Sequence, residues 1–138
     1  MLDRTNITRL EELARDLARA QPSLRLIVIF GSVVSGTPRV DSDVDIAILG
    51  SGFWDGLALA SALGAELGRE PHAIDLATAP EALKFEVARS GVLLFEREPF
   101  DWARFQASAA LGFFDLAPLR ARCATGVRHR LRREARLE

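Results

Sequence analysis

Two short apolar runs, LRLIVIF (Leu24–Phe30) and VDIAILG (Val44–Gly50), constrain the fold more than any other feature of the chain. Both are rich in β-branched residues and bounded by glycine, so each reads as a buried strand. Between them stands GSVVSGTPRVDSD, whose glycines, proline, serines and aspartates are loop chemistry. Around this pair the periodicity changes to helical. Ile7, Leu10, Leu13, Ala14 and Leu17 mark a first helix, with Thr5, Asn6 or Thr8 as its cap and an end near Gln21-Pro22. Leu57, Leu59, Ala60, Leu63 and Leu67 mark a second, closed near Gly68. AIDLAT (residues 73–78) reads as a third strand, residues 80–91 as a helix, and VLLFE (Val92–Glu96) as a fourth strand. Pro99 opens a long helical region interrupted at Pro118. Strands alternating with helices predict an α/β fold with one sheet.

The 138 residues suit one domain spanning 1–138, with an arginine-rich helical tail from about residue 119. Hydrophobic residues at 49% and charged residues at 27% place it among soluble globular chains. A net charge of −1 predicts no general attraction to nucleic acid or a membrane surface. The N-terminus MLDRTNITRLEELARDLARA is charged throughout, unlike a secretory signal, and no apolar run nears the roughly 20 residues that span a bilayer. One cysteine, Cys123, excludes an internal disulfide and a Cys-rich zinc site. The expected location is the cytoplasm.

Asp43 and Asp45 open the second strand. Residues i and i+2 share a face of a strand, so the two carboxylates project together with Cα atoms about 6.5–7 Å apart. At an effective dielectric constant of about 20 they repel by roughly 2–3 kcal/mol. Packing offers no compensation for that cost, whereas a hard divalent cation with phosphate oxygens does. Gly31 and Ser32 follow the first strand directly; glycine admits a phosphate close to the backbone, and the serine hydroxyl adds a donor. Antiparallel pairing of the two strands would set Gly-Ser against the aspartates. Asp75, inside the apolar third strand, needs a partner or a metal, and three carboxylates would hold two ions roughly 3.5–4 Å apart. Ser42 reads as a turn-shaping residue and is also a candidate nucleotide-binding residue.

Gly31-Ser32, a ten-residue gap and Asp43-Val-Asp45 resemble the GS-x10-DxD signature of the DNA polymerase β-like nucleotidyltransferase superfamily. The short chain, the AIDLAT strand and EVARSGVLLFE resemble its minimal nucleotidyltransferases (MNT), over roughly residues 7–115. The resemblance implies a polymerase β palm-like fold, a small mixed sheet flanked by helices. It implies Mg2+-dependent attack on the α-phosphate of ATP with release of pyrophosphate. Asp43, Asp45 and Asp75 match the catalytic and metal-binding carboxylates, with two Mg2+ ions, and Gly31 and Ser32 match the residues that hold the triphosphate. Small members pair with a helical HEPN toxin, as antitoxins that bind it or adenylylate a tyrosine on it. Many relatives carry arginine where this chain has Ser35, and Arg39 in the same loop is a candidate substitute for it.

The leading expectation is therefore transfer of AMP from ATP to a hydroxyl of a toxin partner. The alternative is a catalytically weak or inactive antitoxin that acts by binding, and a third reading is adenylylation of a small hydroxyl compound. His72 and His129 read as surface residues, Cys123 as helix packing, and Trp54 as a loop residue packed on the protein. Trp102, Phe105, Phe113 and Phe114 read as core or interface. Arginines 120, 122, 128, 130, 132, 133 and 136 read as a solvated face, with docking to an acidic partner or RNA as the alternative.

Overall fold

Leu10, Ala14 and Ala18 form the buried stripe of helix α1 (Arg4–Ala20) in the computed structural model, which describes residues 2–35 and 43–115. The cap of α1 lies upstream of the three residues expected to supply it. Asp3 is the N-cap, and its carboxylate accepts a hydrogen bond from the Asn6 backbone N–H at 2.8 Å. The Thr8 hydroxyl instead donates to the Arg4 carbonyl one turn back, at 3.0 Å.

The apolar runs become β1 (Leu24–Phe30), β2 (Val44–Gly50), β3 (Pro71–Asp75) and β4 (Val92–Glu96), in the spatial order β3-β2-β1-β4. β1 pairs antiparallel with both β2 and β4, and β2 pairs parallel with β3. The parallel pair is joined by helix α3 (Gly56–Leu67); a four-residue helix, α2 (Ser32–Ser35), follows β1. Helices α4 (Glu81–Ser90) and α5 (Asp101–Asp115) bracket β4. The small mixed sheet flanked by helices is thus present.

β1 and β2 are buried on both faces, and the alternation of their side chains divides the core. Ile27, Ile29, Val44, Ile46 and Ile48 pack toward Leu10, Ala14, Leu59 and Leu63 of α1 and α3. Leu26, Val28, Phe30 and Ala47 pack the other way, toward Val87 of α4 and Trp102 and Phe105 of α5. Full burial of each large aliphatic side chain contributes roughly 1.5–3 kcal/mol. This makes β1 and β2 the rigid centre from which the loops project.

The third strand begins and ends earlier than residues 73–78. Pro71 fits the first position of an edge strand, where a missing N–H costs no ladder bond. At the far end the Asp75 carboxylate accepts the Ala77 N–H at 2.9 Å, turning the chain out of the sheet. Two ties hold the periphery. Arg97 donates to the carbonyls of Ala18 at 2.9 Å, Gln21 at 3.1 Å and Leu24 at 3.0 Å, joining the end of α1 to β1. Asp101, buried at the start of α5, takes a 2.8 Å bond from Arg25 and a 3.0 Å bond from the Glu98 N–H. Burial alone would raise its pKa, but these bonds and the charges of Arg25 and Arg104 outweigh burial and hold it below the ordinary carboxylate value.

Trp54 packs against the α1/α3 side of the core, and Phe113 stacks on Phe85 with ring centroids 4.3 Å apart, so both serve packing. Ser42, Arg39, Pro118, Cys123, His129 and the arginine-rich tail lie outside the described residues. No described helix is long and apolar enough to cross a membrane.

Candidate active site

The antiparallel register sets Phe30, the last residue of β1, opposite Asp45 near the start of β2. Gly31 therefore arrives directly beside the Asp45 carboxylate. Its φ of 88° lies in the left-handed region, and a Cβ at this position would overlap Asp45 Oδ2. Both facts demand glycine. α2 begins at the next residue, Ser32, and the Val34 N–H closes its first turn on the Gly31 carbonyl at 3.0 Å.

Asp43 immediately precedes β2 and is exposed. Asp45 shares a strand face with Ala47, the face toward α4 and α5, and Asp43 lies two residues before it. Asp45 is half-buried, and burial pushes its carboxyl above the ordinary value. A hydrogen bond and a Coulombic attraction from His72 oppose that rise, and the negative charge of Asp43 adds to it. A cation near the pair would reverse the balance.

The third carboxylate is not brought to this pair. In the parallel ladder Asp45 lies opposite His72, whereas Asp75 lies opposite Ile48. Three residues of strand put Asp75 about 10 Å further along. An odd number of residues also turns it to the opposite face of the sheet. Asp75 there lines a pocket with Ala73 and Pro71 of its own strand and Leu57 and Ala60 of α3. Its carboxylate is already engaged by the Ala77 N–H. The expectation that Asp75 completes the cluster is thus corrected by register: a carboxylate on the far face cannot share an ion with Asp45. Among the described residues no three acidic, histidine or cysteine side chains form a ready-made metal cage.

His72 occupies the position that Asp75 was expected to fill. Its Nδ1 lies 3.3 Å from Asp45 Oδ1, and its side chain is 58% exposed at the sheet edge. The expectation of a surface residue agrees with that exposure, but it did not include this contact. The signal in the sequence was the phase of the strand: starting β3 at Pro71 puts His72 and Ile74 on one face and Ala73 and Asp75 on the other.

The donor set can be tested against the ion the resemblance implies. Magnesium in nucleotide sites takes one or two carboxylates and completes its shell with phosphate oxygens and water. Asp43 and Asp45, two carboxylates beside the Gly31 backbone, fit one such ion in their donor chemistry. A second ion would need a further carboxylate, which the described residues do not supply here.

The family described as Polymerase beta, Nucleotidyltransferase matches residues 12–100. The chain belongs to that family. It is 35% identical over 83 residues to the protein adenylyltransferase MntA of Shewanella oneidensis, the match covering 58% of this chain and 60% of that relative's length. A chain in a crystal structure of a toxin–antitoxin with AMP-PNP is similar at 29% identity and a TM-score of 0.71, covering 85% of this chain and 97% of that one. Another, from a structure of tri-AMPylated Shewanella oneidensis HEPN toxin in complex with MNT antitoxin, is similar at 26% identity and a TM-score of 0.67, covering 88% and 98%. The polymerase β-like nucleotidyltransferase fold expected for the chain is therefore its fold.

Proposed function

We propose that the protein transfers AMP from ATP to a hydroxyl group of a partner protein, and that the partner is a HEPN-type toxin which this chain, as antitoxin, neutralises. The observation that carries the reading is the close approach of Gly31 to Asp45, with Asp43 two residues away. It sets a glycine backbone against a pair of carboxylates where two buried strands meet. Similarity to the adenylyltransferase MntA and to chains in the toxin–antitoxin structures supports the choice of acceptor class.

In the reaction, the acceptor oxygen forms a bond to the α-phosphorus as the bond from that phosphorus to the pyrophosphate oxygen breaks, and the hydroxyl proton passes to water. Gly31 gives the triphosphate access to the backbone at the start of α2. Asp43 and Asp45 would hold Mg2+, which when bound polarises the phosphoryl oxygens and offsets charge on the leaving pyrophosphate. The half-buried position of Asp45 fixes its carboxylate, because β2 is paired on both sides. Ser32 and Ser42 are retained as nucleotide-binding residues in this proposal. Asp75 is not.

The test is incubation with labelled ATP, Mg2+ and the product of the neighbouring gene. Label on that product, lost in the Asp43→Asn/Asp45→Asn variant, is expected. Absence of label together with no nucleotide binding overturns the proposal. A second reading, neutralisation by binding alone, is favoured by the displacement of Asp75, which leaves the pair without a third carboxylate. Under it, the double Asn variant still neutralises the partner in full. The chain contains no tyrosine, so tyrosine label cannot arise on the chain itself.

A further inference from the structure

We propose that His72 becomes the third donor when an ion binds at Asp43 and Asp45: the three side chains, all among the described residues, are not preassembled into a cage, and the ion would draw them into a two-carboxylate, one-imidazole site that favours Mn2+ and other borderline ions relative to Mg2+ more than an all-carboxylate site does. The inference rests on the nucleotide-binding reading above and deepens it by naming the ligand set and the metal class.

Three observations converge. The parallel register puts His72 beside Asp45, on the strand face they share. The separation of 3.3 Å between Nδ1 and Oδ1 suits adjacent ligands of one ion. Two donors each about 2.1 Å from a metal, at angles between octahedral and tetrahedral, lie about 3.0–3.4 Å apart. The exposed ring also leaves the remaining coordination positions open to phosphate oxygens and water. Among the described residues, no other side chain takes a hydrogen bond from this ring. A plain surface ion pair would account for the contact, but not for its place at the one corner of the site that lacks a carboxylate.

Imidazole nitrogen is a softer donor than carboxylate oxygen and raises affinity for first-row transition ions over magnesium. Exchanging it for a carboxylate restores an all-oxygen set and narrows that gap.

The test uses the full chain saturated with an α,β-methylene analogue of ATP, which cannot release pyrophosphate. Mn2+ and Mg2+ are titrated by calorimetry into the wild type, His72→Asp and His72→Ala. The ratio of Mn2+ to Mg2+ affinity is expected to fall about tenfold or more in His72→Asp, chiefly through tighter Mg2+ binding. Pulsed electron paramagnetic resonance of the Mn2+ complex, with histidine 15N-labelled, is expected to show directly coordinated nitrogen in the wild type and none in either variant. An unchanged ratio, or a loaded wild type without that coupling, overturns the assignment of His72 while leaving the nucleotide site intact. Failure of the analogue to bind at all, with either ion, removes the nucleotide-binding reading and this inference with it.

Discussion

Gly31 stands against Asp45 with no room between them for a side chain. The contact follows from the β1/β2 register, in which Phe30 faces Asp45 and the chain must turn at the next residue. Gly31→Ala therefore meets two penalties: a left-handed φ of 88°, and overlap with the carboxylate. A cost of about 1–3 kcal/mol is expected from the backbone and displaced side chain together. Chemical denaturation measures that loss. Nucleotide affinity, measured by calorimetry, is expected to drop at least tenfold because Asp45 must move.

Asp45 gives the apo protein a pH dependence of definite sign. Its folded-state pKa lies above the ordinary value, so its contribution to stability is complete below the unfolded pKa and is lost as pH rises through the raised one. Asp45→Asn removes that dependence. In metal-free buffer the variant is expected to melt at a higher temperature than the wild type at pH 7, with the gap closing near pH 3. Thermal scans across that range decide it; an Asn variant that melts lower at pH 7 contradicts the buried-charge account.

Asp75 separates a reading from spacing and a reading from register. Its carboxylate accepts the Ala77 N–H and faces α3, away from Asp45. Asp75→Asn keeps an acceptor for that bond. The substitution is expected to leave metal and nucleotide affinity within about twofold of wild type and to change stability by less than about 1 kcal/mol. A large loss of metal binding would restore Asp75 to the site.

Arg97 closes three carbonyls with one planar guanidinium, which also lies over the Phe95 ring at 4.9 Å from its centroid. Lysine carries the charge but cannot reproduce the fork. Arg97→Lys is expected to cost about 1–3 kcal/mol in urea unfolding, and Arg97→Ala more. Activity per folded molecule stays unchanged, since the guanidinium lies at the end of β1 remote from Gly31.

The central strands were legible because LRLIVIF and VDIAILG combine β-branching, burial and abrupt glycine stops. Their pairing then brought Gly31 to Asp45 as the spacing required. The third strand was harder. AIDLAT looks like a strand with an acid in the middle, yet the chain leaves the sheet at Asp75 because that acid is spent on a turn. Only the ladder shows that β3 starts at Pro71, and that start decides which of His72 and Asp75 meets Asp45. The Asp3 cap was missed for a related reason: several capping residues crowd one short stretch, and only the helical geometry selects among them.

Asp45 and His72 stand at the beginnings of two parallel strands, linked by a crossover that runs through α3 and leaves it at Gly68, whose φ is 64°. That connection works as a phase-setting spacer. Inserting or deleting one residue between Gly68 and Pro71 while the ladder is retained would swing the imidazole to the α3 side and present an alanine or a proline in its stead. Length variants of this loop should consequently alternate, odd changes taking the histidine off the Asp45 face of the sheet and even changes keeping it on that face.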